Sequence, residues 1–137
     1  MGGTPGSAQA AVGSFTGAHV LAEIDGVPAA ALDDVMSLRA ALRSALEQAG
    51  ATVCEIISRS FDPQGVTVLA LLCESHASVH TYPERGSAFL DVFTCGHAAD
   101  PELAVRLLAA ALGAGSTQVT VVRRGGPLES VVDGEGR

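Results

Sequence analysis

The chain has 137 residues, of which 47% are hydrophobic and 17% charged. That is enough apolar material for one packed domain, built on Ala, Val and Leu because aromatics are only 4% and Trp is absent. Eight basic against fifteen acidic side chains give a formal charge of -7, which argues against a nucleic-acid or anionic-membrane partner and suits a cationic ligand or plain solubility.

Residues 1–16, rich in Gly, Ser and Ala, lack the basic and oily regions of a secretory signal and read as a flexible tail. GAHVLAEID, 17–25, alternates as a first strand. The clearest helix spans Leu32 to Ala49: Asp33 or Asp34 offers a cap, Leu38, Leu42 and Leu46 form one apolar face, and Gly50 stops it. ATVCEIISRSF, 51–61, is a second strand ended by the turn DPQG, and VTVLALLC, 66–73, is oily on both faces, as a central strand is. HASVHTY and SAFLDVFTC are two more strands, joined across Pro83-Glu84-Arg85-Gly86. Asp100-Pro101-Glu102 starts a helix that runs to about Gly113, TQVTVVRR, 117–124, is a last strand, and 125–137 is a loose tail.

The order β-α-β-β-β-β-α-β with short central links predicts a two-layer α/β sandwich, a mainly antiparallel sheet with two helices on one face. Its other face would be bare in a monomer and is expected to meet a second subunit. No apolar run reaches the roughly 20 residues of a membrane span. Three cysteines, Cys54, Cys73 and Cys95, leave an odd thiol under any pairing. Without an export signal, free thiols in a reducing cytoplasm are expected.

Between the oily runs stands CESHASVHTYPERG, 73–86. Three readings are open. It is a tight turn with polar strand ends; or a metal site, with His76 and His80 on one side and Cys95 and His97 as further ligands; or a nucleophile, Ser75, placed where the backbone bends. Zinc sites usually show close ligand pairs such as CxxC, and there is none. For the nucleophile, Ser75 and His80 are an odd number apart, so alternation puts them on opposite faces unless a bulge at 75–76 intervenes. Cys95 closes the next strand and could reach the same end of the sheet.

The longer string ESHASVHTYPERGSAFLDVFTCG resembles the central block of prokaryotic S-adenosylmethionine decarboxylases. The Glu-Ser-His, His-Thr, Pro-Glu, Asp and Phe-Thr-Cys-Gly elements all stand at matching spacing. GAHVLAE and FDPQGVT extend the likeness, which covers about residues 17–124. The resemblance implies a self-cleaving proenzyme that breaks between Glu74 and Ser75 into a β chain, 1–74, and an α chain, 75–137. Ser75 Oγ would attack the Glu74 carbonyl, His80 would act as base, and residue 75 would become a pyruvoyl group. That ketone forms a Schiff base with the amine of an amino-acid-type substrate, and Cys95 matches the proton donor. Thr67 stands in place of a processing serine, while Cys54 and Cys73 match no role and read as buried packing. The implied assembly is a homodimer of processed αβ units in the cytoplasm, supplying polyamine synthesis.

Phe61 stands where the family has an adenine-stacking ring, and Glu84 matches a ribose-binding acid. The departures are Glu23-Ile24-Asp25-Gly26, with no aromatic, and Tyr82, Arg85 and Ser87 in place of a Trp and two Tyr. Asp25 would suit a cationic substrate, so an arginine or ornithine decarboxylase is the rival reading. An unprocessed regulatory paralogue is a third, opposed by the intact Ser75, His80 and Cys95.

Overall fold

The computed structural model describes residues 15–73 and 75–126. Its elements are β1 (Gly17–Asp25), α1 (Ala29–Leu32), α2 (Val35–Gln48), β2 (Val53–Ser60), β3 (Val66–Leu72), β4 (Ser75–Tyr82), β5 (Ser87–Cys95), α3 (Pro101–Ala111) and β6 (Ser116–Arg124), with a 3₁₀ turn over Pro83–Arg85. The tails at 1–14 and 127–137, and Glu74, lie outside the described residues.

The helix expected from Leu32 to Ala49 starts three residues later, at Val35. The short α1 ends at Leu32, and α2 starts where Asp34 caps it, accepting from the Ser37 backbone N–H at 3.1 Å. That backbone bond, followed by the Ser37 hydroxyl, holds the Asp34 carboxyl below its ordinary value. Asp33 is used elsewhere: its Oδ1 accepts from Gly65 N at 2.9 Å and ties α1 to the turn before β3. Gly50 ends α2 with φ +95°, and a Cβ there would stand 2.6 Å from Ala98 O.

The six strands lie in the order β2-β3-β4-β5-β1-β6. All five neighbouring pairs are antiparallel. Val20, Ala22 and Ile24 of β1, Val66 and Val68 of β3, Val79 of β4 and Leu90 and Val92 of β5 pack beneath Leu38, Leu42 and Leu46 of α2 and Val105 and Leu108 of α3. Buried Thr81 donates its hydroxyl to Leu32 O at 2.7 Å and accepts from Val66 N at 2.8 Å, so a polar group in this layer is satisfied. The two-layer α/β sandwich is therefore the observed fold.

β3 is not covered on both sides. It lies one strand in from the β2 edge, and its burial alternates, leaving Leu69 and Leu71 41% and 56% exposed. With Leu21, Ile57 and Phe89, they make the helix-free sheet face apolar. The oily run came from two different surfaces, a helix-covered core and an open face. Cys54 and Cys73 are likewise exposed, not buried: Cys54 sits at the irregularity between Val53 and Glu55, and Cys73 is in the β3–β4 turn.

Candidate active site

The break in the oily run is a hairpin turn. Leu72 pairs with Ser75, so positions 73 and 74 alone connect β3 to β4. The Ser75 hydroxyl donates to Cys73 O at 3.3 Å and stays half-exposed at the start of β4. His76 pairs with Phe93, so one more step of the register sets Ser75 beside Thr94 and brings Cys95 to the same sheet end. β1 places Gly17 opposite Cys95, and a Cβ at Gly17 would come 2.5 Å from Thr94 O. The glycine that this close approach demands also leaves Cys95 without a neighbouring side chain on β1.

His80 is elsewhere. Thr67 and His80 are a cross-strand pair, with Thr67 Oγ1 3.1 Å from His80 Nδ1. The β3–β4 register runs from Leu72/Ser75 to Thr67/His80 without a shift, so the bulge expected at 75–76 is absent. Five residues of strand separate the two by roughly 16 Å, and the odd offset turns them to opposite faces. The reason is local: the two-residue turn reverses the chain by itself, and nothing then needs to be absorbed in β4. One chain thus brings Ser75 and Cys95 to one end and leaves Thr67 and His80 apart from them.

The expected substrate residues gather at the far end, where β4 stops at Tyr82. Phe61, 49% exposed, follows β2 there, and Glu84 sits in the 3₁₀ turn after Tyr82. Asp25, Tyr82, Arg85 and Ser87 line one 440 Å³ pocket with Glu23 and Phe89. Ser87 donates its hydroxyl to Asp25 Oδ1.

A polar cluster on the open face joins His76, weighed above as a metal ligand, to His19, Ser78, Asp91 and Arg124, which were given no individual role from sequence. Asp91 Oδ2 accepts from His19 Nε2 at 2.6 Å and lies 3.7 Å from His76 Nε2, while Oδ1 accepts from the Ser78 hydroxyl. Arg124 approaches His19 Nδ1 at 3.4 Å and stacks 4.5 Å over the Phe93 ring, which also touches both imidazoles. His76, His80, Cys95 and His97 do not form the metal grouping weighed above. Among the described residues, His19, His76 and Asp91 have ligand-like spacing, their atoms within 4.8 Å of one another. Arg124, a pure donor, requires His19 Nδ1 to accept, which leaves the proton on Nε2 facing Asp91. In this tautomer the cluster is a hydrogen-bonded belt, and a metal on His19 Nε2 would need the opposite one. His19 and Asp91 are both members of the matching motifs, but their contact depends on β1 lying beside β5, which no local pattern announces.

A profile of the S-adenosylmethionine decarboxylase family matches residues 18–125. The chain belongs to that family. It is 48% identical over 100 residues to an S-adenosylmethionine decarboxylase proenzyme of Prochlorococcus marinus (strain MIT 9313), covering 73% of this chain and 80% of that one. A proenzyme of the same description from Brevibacillus brevis is 44% identical over 112 residues, 82% of this chain and 84% of the relative. The crystal structure of the adenosylmethionine decarboxylase from Aquifex aeolicus VF5 superposes with a TM-score of 0.75 at 32% identity, covering 90% of this chain and 98% of the other. The family read from the ESH and FTCG segments is thus borne out, as is the sandwich.

Proposed function

We propose that this chain is a self-cleaving, pyruvoyl-dependent decarboxylase of S-adenosylmethionine, serving polyamine and spermidine synthesis, whose working site is completed by a second copy. The family match over 18–125 carries this reading, because it includes the cut site and every residue the chemistry needs. In cleavage, Ser75 Oγ adds to the Glu74 carbonyl carbon and the C–N bond breaks, leaving an ester and a free amine on residue 75. Loss of the Ser75 Cα proton expels the Glu74 carboxylate, and hydrolysis of the resulting dehydroalanine releases ammonia and leaves a pyruvoyl group. The hairpin fits this chemistry: Ser75 follows the link between β3 and β4, and its hydroxyl turns back toward that link to donate to Cys73 O. The pyruvoyl group supplies the electron sink that decarboxylation of an α-amino acid requires and that no side chain provides.

Cys95, at the same sheet end as Ser75, returns a proton to the substrate α-carbon. Thr67 fixes His80 by its Nδ1, leaving Nε2 free as the base. Phe61 stacks on adenine and Glu84 accepts from the ribose hydroxyls. These groups lie toward the end opposite Ser75, so a two-fold that stacks two open faces end to end would bring the sheet end that carries Ser75 next to the partner's sheet end that carries His80, Phe61 and Glu84. The exposed Leu21, Ile57, Leu69, Leu71 and Phe89 supply the apolar area for that contact. A cytoplasmic location suits the three free thiols. Among the described residues, no helix is long and apolar enough to cross a membrane.

A cationic substrate is less well served. Asp25 already accepts from Ser87, and Arg85 brings a cation of its own to the same pocket. CO2 release from S-adenosylmethionine, arginine and ornithine, compared on kcat/KM, tests the assignment. S-adenosylmethionine is expected to lead by about 100-fold or more, since the other two leave the adenine and ribose contacts unmade. A lead for either amino acid would overturn it. Cys95→Ala is expected to cleave normally and lose about 100-fold in kcat; unchanged turnover would remove Cys95 from the reaction.

A further inference from the structure

Cleavage creates a positional problem that the belt on the open face is placed to solve. Before the cut, the hairpin turn holds the start of β4. After it, residue 75 is a chain end without an amine, and nothing covalent joins it to β3. His76 is then the first residue of the new chain with an ordinary side chain. Its backbone lies between Leu71 of β3 and Phe93 of β5, within the sheet. Its ring, 50% exposed, occupies a niche made by His19 at 5.7 Å, Phe93 at 5.7 Å and Asp91 Oδ2 at 3.7 Å. Asp91 and His19 are themselves mostly covered, each 21% exposed.

The partners of this niche come from four adjacent strands: Arg124 on β6, His19 on β1, Asp91 and Phe93 on β5, Ser78 and His76 on β4. The belt sets every donor in order. Arg124 N–H points at His19 Nδ1, His19 Nε2–H at Asp91 Oδ2, and the Ser78 hydroxyl at Asp91 Oδ1. Asp91 is thereby fixed in orientation, with the charge of Oδ2 facing His76.

We propose that Asp91 and His76 are positioning residues: the carboxylate holds the His76 ring against β5 and so keeps residue 75 in register after the chain is cut. The proposal rests on the self-cleaving reading above. It assigns the cluster no contact with substrate and no part in breaking the 74–75 bond. Displacement of a reacting group by about 1 Å is enough to cost on the order of 100-fold in rate, so a clamp one residue away is worth maintaining.

The test compares wild type, His76→Ala, His76→Gln and Asp91→Asn, purified as cleaved enzyme. Intact mass first establishes that each chain splits. His76→Ala and Asp91→Asn are expected to split to completion, with kcat for S-adenosylmethionine down about 10-fold to 100-fold and KM within about twofold. His76→Gln, which keeps a polar side chain of similar reach beside Asp91 Oδ2, should recover most of the rate. Amide exchange at 77–79 should accelerate in cleaved His76→Ala but not in the uncleaved double variant Ser75→Ala/His76→Ala, a contrast that a general packing defect does not produce. If wild type splits while His76→Ala matches it in kcat and exchange, the clamp is overturned alone. Equal acceleration before and after cleavage also overturns it. A wild-type chain that never splits overturns both this and the reading it rests on.

Discussion

Ser75→Ala yields one uncut chain and no CO2 release from S-adenosylmethionine. The only polar contact of the Ser75 hydroxyl among the described residues is a 3.3 Å bond to Cys73 O at the surface. Its loss costs little stability, because an exposed bond is readily replaced by water. The backbone pairing of Leu72 with residue 75 does not depend on the side chain. The variant should therefore fold like wild type, and its thermal melt should show this. The chemical effect is total by comparison: without Oγ there is no nucleophile for the Glu74 carbonyl, no ester, and no ketone to take up electrons. Intact mass reads the result directly. A Ser75→Ala chain that still splits at 74/75, or an uncut wild type, would remove the self-processing reading.

Mixing two inactive variants restores cleavage. Ser75→Ala keeps His80 but has no nucleophile, and His80→Ala keeps the nucleophile without its base, so neither is expected to cut alone. Within one chain the two residues are separated by five positions of unbroken strand and face opposite ways. If each Ser75 is served by the partner's His80, a mixed dimer holds one complete pair and one empty pair. The complete pair cuts the His80→Ala chain only. With random assembly about half the dimers are mixed, so about a quarter of all chains should split. A mass tag on one variant identifies which. No cleavage in the co-expressed sample would overturn the shared site, and efficient cleavage of His80→Ala alone would remove His80 from processing.

Most of the local structure was legible in the residues. Leu38, Leu42 and Leu46 recur every fourth position and bury one face of α2, and Asp100-Pro101 starts α3 where a cap and a fixed φ should. These are contacts between near neighbours, and side-chain periodicity reports them. At the polar interruption a turn was one of three readings left open, and the family likeness of the longer ESH-to-FTCG string is what assigned chemistry to Ser75, His80 and Cys95. By contrast, alternation alone said that Ser75 and His80 face opposite ways, and the bulge invoked to reconcile them is not there.

What the sequence determined by itself was most of the elements, the apolar face of α2, and the family to which the motifs belong. Which residues meet was decided only in the tertiary structure. The order β5-β1-β6 inserts the first strand between two others, and so puts His19 in hydrogen-bond contact with Asp91, 72 positions away, and near Arg124, 105 away. Such pairings follow from how the whole sheet closes over α2 and α3, a condition on all six strands at once. The same closure sends Phe61, Glu84 and Asp25 to the end of the sheet opposite Ser75. Residues that read as one active site along the chain therefore lie at two ends of the folded sheet, because strand length, and not motif spacing, sets the distance between them.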